Sequence, residues 1–147
     1  FVLEFNARFG DPETQAILPL LDSDLVQIFL NGLDDTLKPQ QIKWSQKKSV
    51  TVVLAAPGYP EQPQTGQKIF GLNKEFKEGI VFHAGTKSQN GVYLTNGGRV
   101  LNICGLGDSY KEARENAYAL VSKVHFAGCQ YRRDIALKAV VKEEVKV

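Results

Sequence analysis

Apolar and polar residues alternate from Val2 to Phe9, a period of two that predicts a β-strand. A Gly10-Asp11-Pro12-Glu13 turn follows, in which Pro12 suits the first turn of a helix and Asp11 its N-cap. Glu13 adds favourable charge there, and Ile17, Leu18, Leu20 and Leu21 supply a buried side. A second helix is predicted over 22–33, capped by Asp22 or Ser23, with Leu25, Ile28, Phe29 and Leu33 at helical spacing and Asn31-Gly32 weakening its end. Residues 34–48 are polar and read as a boundary between two structural parts. Short strands follow at 49–56, 67–72, 80–86, 91–96 and 99–107, with a turn at 57–60 and a Pro- and Gln-rich loop after it. Gln89-Asn90-Gly91 and Asn96-Gly97-Gly98 read as hairpin turns. The clearest helix runs from Ser109 to Val124, capped by Asp108 or Ser109, with Ala113, Ala117, Leu120, Val121 and Val124 on one stripe. Residues 126–141 read as a returning strand with Arg132-Arg133-Asp134 in its middle, and the Lys/Glu tail beyond Val141 as frayed. The sum is an α/β (α+β) chain: a strand and two helices, then a small, mostly antiparallel sheet with one long helix packed on it.

Composition narrows the class. The 147 residues suffice for one domain with part of another, and 43% hydrophobic with 23% charged residues is ordinary for a soluble globular protein. A net charge of +2, with scattered basic residues, gives no reason to expect nucleic acid, and no apolar run is long enough to span a membrane. The first residues lack the basic start of a secretory signal. Cys104 and Cys129 sit in apolar runs and read as reduced core residues of a cytoplasmic protein; a zinc site would need more ligands at tighter spacing. The chain has no methionine and starts in mid-strand, so it is expected to be the C-terminal piece of a longer polypeptide.

The candidate chemistry lies in the first strand. Alternation places Glu4, Asn6 and Arg8 on one face. A carboxylate and a carboxamide two residues apart suit one hard cation such as magnesium, and Arg8 suits a carboxylate or phosphate. A solvated strand face accounts for the same residues. Asp11 and Glu13 read as caps, with substrate amines as the alternative, and the helix start offers amides to an anion. His83 reads as a structural histidine and His125 as a favourable charge at a helix end. Arg99 follows either a turn that aims it at a phosphate or a plain hairpin. Gly105 and Gly107 lack the third glycine of a dinucleotide fingerprint. Arg132, Arg133 and Asp134 read as a buried or interdomain ion pair rather than a substrate contact. Trp44 reads as packing between the two parts.

Five blocks in order extend the picture: VLEFNARFGDPETQ, KSVTVVLAAPGYP, FHAGTK, TNGGRVLNICGLG and YRRDIA. Together they resemble the phosphoribosylamine–glycine ligase family, the glycinamide ribonucleotide synthetases of the ATP-grasp superfamily, over about residues 1–140. Members are much longer, so the resemblance implies that 1–36 ends an ATP-grasp catalytic domain and 37–147 forms the C-terminal α/β domain. It implies Mg²⁺ or Mn²⁺ ligands at Glu4 and Asn6, and a catalytic Arg8 near an acyl-phosphate intermediate. The implied reaction joins glycine to 5-phosphoribosylamine at the expense of ATP, through a glycyl phosphate, in purine synthesis. The implied partners are ATP, glycine, 5-phosphoribosylamine and the upstream part of the same polypeptide. The lysines and glycine-rich loop that hold ATP would lie upstream, so these residues alone are expected to be inactive. Two readings stand beside this one: another ATP-grasp ligase or carboxylase, and a non-catalytic α/β interaction domain.

Overall fold

A computed structural model describes residues 1–72, 76, 77 and 79–145. Its centre is a three-stranded antiparallel sheet of β1 (Lys48–Ala55), β2 (Gly79–His83) and β5 (Arg99–Gly107), in the order β1-β5-β2. A separate hairpin pairs β3 (Thr86–Gln89) with β4 (Val92–Thr95). Its turn is Asn90-Gly91, where φ is 51° and 74°. Both angles are positive, as a two-residue turn that follows the strand twist requires.

Helix α3 (Tyr110–Val121) covers one face of the sheet. Cross-strand pairs Val52–Ile103 and Leu54–Leu101 share that face, and all four are fully buried with Ala113, Ala117 and Leu120 of the helix. The predicted apolar stripe is therefore the core contact, including Val121 and Val124. Gly105 permits the close approach, since an added Cβ would overlap the backbone of Ala113 and Ala117. Ser109 caps the helix by accepting from the Glu112 amide at 3.1 Å, and the Glu112 carboxylate accepts from the Asp108 amide at 2.7 Å. The first bond satisfies an orphan amide of the first turn, and the second ties back the residue before the cap.

The opposite face of β1 meets α1 (Glu13–Ile17) and the short 3₁₀ turn at Leu18–Leu20 that continues it. Helix α2 (Leu25–Leu33) follows. Ser49 Oγ donates to the Ala16 carbonyl and Thr51 Oγ1 to the Gln15 carbonyl, which fixes α1 against the sheet. Residues 43–45 return to pair with 20–22, through Ser45 N to Leu20 O at 2.8 Å and Asp22 N to Lys43 O at 3.0 Å. Half-exposed Trp44 lies in this bridge opposite Leu21.

Several expectations are corrected. Residues 1–9 form no strand: a lone extended segment has no neighbour for its amides and carbonyls, and no described strand pairs with it. Asp11 is not a cap; α1 begins after Pro12 with no side-chain cap. The helices α1 and α2 bury no residue fully, and the cap of α2 is Asp24, which accepts from the Gln27 amide. Residues 67–72 make only isolated bridges, Lys68–Leu94 and Phe70–His125. Asn96-Gly97-Gly98 links the two sheets instead of closing a hairpin. Residues 126–141 do not form a strand: a bridge at Gln130 precedes helix α4 (Leu137–Glu144). Helix α4 takes in half of the tail expected to fray; its Glu143 carboxylate accepts from the Tyr110 amide at 2.7 Å. The last two residues of that tail lie outside the described residues.

Candidate functional site

Glu4, Asn6 and Arg8 lie on the exposed 1–9 segment, and the side chain of none of them makes a hydrogen bond or ion pair with a described residue. A carboxylate and a carboxamide are hard oxygen donors and fit Mg²⁺ or Mn²⁺. Among the described residues no group of three or more His, Cys, Asp or Glu forms a metal cage. Arg8 lines a cleft with Phe9, Glu13, Thr14 and Leu18.

Three residues further on, Asp11 joins this segment to the sheet. Its Oδ2 lies 3.0 Å from Arg99 Nε. Its Oδ1 accepts from Asn102 Nδ2 at 2.7 Å and from Gln15 Nε2 at 3.4 Å. Asn102 is fully buried on the central strand, paired in register with Val53 on the face away from α3. A carboxamide there needs partners, and Asp11 supplies one for its Nδ2, while its Oδ1 is buried with no hydrogen bond to a described residue.

Beside this cluster opens a groove of about 670 Å³. Its floor is Thr51, Val53 and Ala55 of β1, and its walls are Pro12, Tyr59, Tyr131 and Ile135. Arg99, Arg132 and Gln130 bring polar groups to it. Helix α3 holds the far wall: Arg114 donates to the carbonyls of Ile135 at 3.0 Å and Arg133 at 2.7 Å, and the Tyr118 hydroxyl donates to the Arg132 carbonyl at 2.7 Å. The near wall is set at Gly98, where an added Cβ would strike the Tyr59 ring. Two guanidinium groups, two phenol rings and an apolar floor together suit a small anion carrying a sugar.

The 132–134 ion pair is corrected from buried to exposed. Arg132 donates to Asp134 through Nε at 3.0 Å and Nη2 at 2.6 Å, in a loop. The Arg132 hydrogen bond holds the Asp134 carboxyl below the usual range, and Asp134 in turn raises Arg132. His83 accepts or donates at Thr86 Oγ1, 2.9 Å from Nδ1, and lies against the Tyr93 ring. His125 stacks on Phe70 at 5.1 Å. Both are structural contacts. The cysteines are free thiols, Cys104 buried and Cys129 half-buried.

Arg99, left open in the sequence between a phosphate contact and a plain hairpin, lines this groove; Tyr59, Gln130, Tyr131 and the anchoring of Asn102 had not been singled out. One signal was present: Asn102 interrupts the apolar run VLNICGLG, and a lone carboxamide in a buried strand requires a partner.

Comparison with known proteins agrees with this architecture. Residues 49–138 match the family model described as phosphoribosylglycinamide synthetase, C domain. The phosphoribosylamine–glycine ligase of Caldanaerobacter subterraneus subsp. tengcongensis is 54% identical over 92% of this chain and 32% of its own length. In Dictyostelium discoideum the bifunctional purine biosynthetic protein purD is 47% identical over 95% of this chain and 17% of its own length. The crystal structure of the Thermotoga maritima phosphoribosylamine–glycine ligase superposes with a TM-score of 0.76 at 42% identity, covering 91% of this chain and 33% of that one. This chain thus spans about a third of the length of the ligases it matches. With a family model over most of the chain and a matching fold, the chain belongs to the phosphoribosylglycinamide synthetase family and carries its C domain.

Proposed function

We propose that this chain is the C-terminal part of an ATP-dependent ligase that joins glycine to 5-phosphoribosylamine in the cytoplasm, giving glycinamide ribonucleotide, ADP and phosphate. The observation that carries this reading is identity of about half, sustained over more than nine-tenths of the chain, to proteins named for that ligation. On this reading residues 1–36 complete an ATP-grasp catalytic domain and 37–147 form the domain that follows. The exposed apolar side chains Phe1, Leu3, Phe5, Phe29 and Leu33 fit a surface covered by the rest of the polypeptide.

In the reaction the glycine carboxylate attacks the γ-phosphorus of ATP and ADP leaves. The amine of phosphoribosylamine then attacks the acyl carbon of glycyl phosphate, phosphate leaves, and the amine gives up a proton. Glu4 and Asn6 would hold Mg²⁺ or Mn²⁺, which supplies electrostatic stabilisation of the phosphoryl charge when bound. Arg8 neutralises the acyl phosphate. The groove of Arg99, Arg132, Tyr59 and Tyr131 receives the phosphorylated sugar, Arg99 offering the phosphate the terminal nitrogens that its Nε contact with Asp11 leaves over. No protein nucleophile takes part.

The test is ADP release by the full-length polypeptide with Mg²⁺, ATP, glycine and freshly made phosphoribosylamine, each omitted in turn. ADP should appear only with all present, and the isolated 147 residues should release none. Release indifferent to glycine would overturn the substrate assignment.

A further inference from the structure

We infer that Asp11 is a positioning residue, which aims Arg99 into the groove. The inference rests on the ligase reading above. Asp11 is engaged through both carboxylate oxygens. Oδ1 is taken by Asn102 at 2.7 Å, and Asn102 is fully buried in the central strand. Its amide has no solvent to turn to, so leaving Asp11 would strand a buried donor. The carboxylate is therefore set from the sheet side, and its other oxygen grips Arg99 at Nε, 3.0 Å away. A guanidinium bound at Nε keeps its terminal nitrogens for a second partner. Arg99 lines the groove with Tyr59, Gln130, Tyr131 and Arg132.

The backbone supports the same aim. Gly98 O accepts from the Ala56 amide at 2.8 Å, and Arg99 O accepts from the Gly85 amide at 2.8 Å. Gly85 and Gly97 lie so close that a Cβ on either would crowd the other. Arg99 thus starts from a fixed backbone and passes through a fixed Nε, which lowers the ordering cost of binding an anion. A plain staple between α1 and the sheet needs none of this direction. It predicts a loss of stability alone.

The two roles separate in the full-length enzyme. Asp11→Asn keeps the shape and an acceptor for Asn102 but removes the charge on Arg99. We expect KM for phosphoribosylamine to rise about tenfold, with KM for glycine and ATP and kcat within about twofold of wild type. Arg99→Lys should show the same selective rise, and the double variant should be no worse than Arg99→Lys alone, because both act on one contact. Should Asp11→Asn fold poorly, Arg99→Lys gives the same selective readout by itself. An unchanged KM for phosphoribosylamine, an equal loss for all three substrates, or additive effects in the double variant would overturn the assignment. Wild-type enzyme that releases no ADP with glycine and phosphoribosylamine would instead overturn the ligase reading itself.

Discussion

The Cys129 thiol sits half-buried against the core, and burial alone pushes its pKa up to about 11. Cys104, fully buried in β5, is raised by burial as well, against a smaller lowering from Thr51. Since the thiolate is the nucleophile, both should resist alkylation at pH 8: native Cys129 should react with iodoacetamide on the order of a hundredfold more slowly than the unfolded chain. Its rate should climb as pH approaches 11, as mass spectrometry after timed labelling would show. Fast native labelling at pH 8 would contradict the burial. At this scale the sequence was a fair guide wherever a residue's character fixes its environment. Free thiols in apolar runs, the Asn90-Gly91 turn and the Ser109 cap all follow from local chemistry. Asp11 does not, because its partners Arg99 and Asn102 lie about ninety positions away, and a capping role satisfied every local rule.

Among the elements, β1 and α3 were legible because each buries one face at a period of two or 3.6, and β5 because a continuous apolar run marks a strand buried on both faces; the three together make the core. The 2–9 segment has the same period and no strand, since periodicity encodes a face and a strand needs a neighbour. The 126–141 stretch was misread because β-branched and aromatic residues flank its charged centre; the structure uses Tyr131 and Ile135 as groove walls and starts a helix at Leu137. The core contact makes a sharp prediction. Gly105→Ala places a methyl on the backbone of Ala113 and Ala117 and must push α3 off the sheet, so it should cost about 2 kcal/mol or more in denaturant unfolding. Ser109→Ala, which removes only the cap bond, should cost about 1 kcal/mol. Equal effects would mean that α3 has room to retreat.

Taken whole, the molecule has a finished half and an unfinished one. The sheet and α3 own the buried side chains, whereas the first 33 residues expose Leu3, Phe5, Val26, Phe29 and Leu33 and hold to the sheet by Asp11 and a few backbone contacts. Among the described residues no helix is long and apolar enough to cross a membrane. In the proposed ligase, the candidate metal donors lie on the exposed half and the candidate anion groove on its border. The most direct test changes Glu4 and Asn6 together to Ala in the full-length polypeptide and follows glycine- and phosphoribosylamine-dependent ADP release with saturating Mg²⁺. The account predicts a fall on the order of a hundredfold or more, with an unfolding temperature close to wild type because neither side chain is packed. Full activity in the double variant would contradict it and place the metal elsewhere.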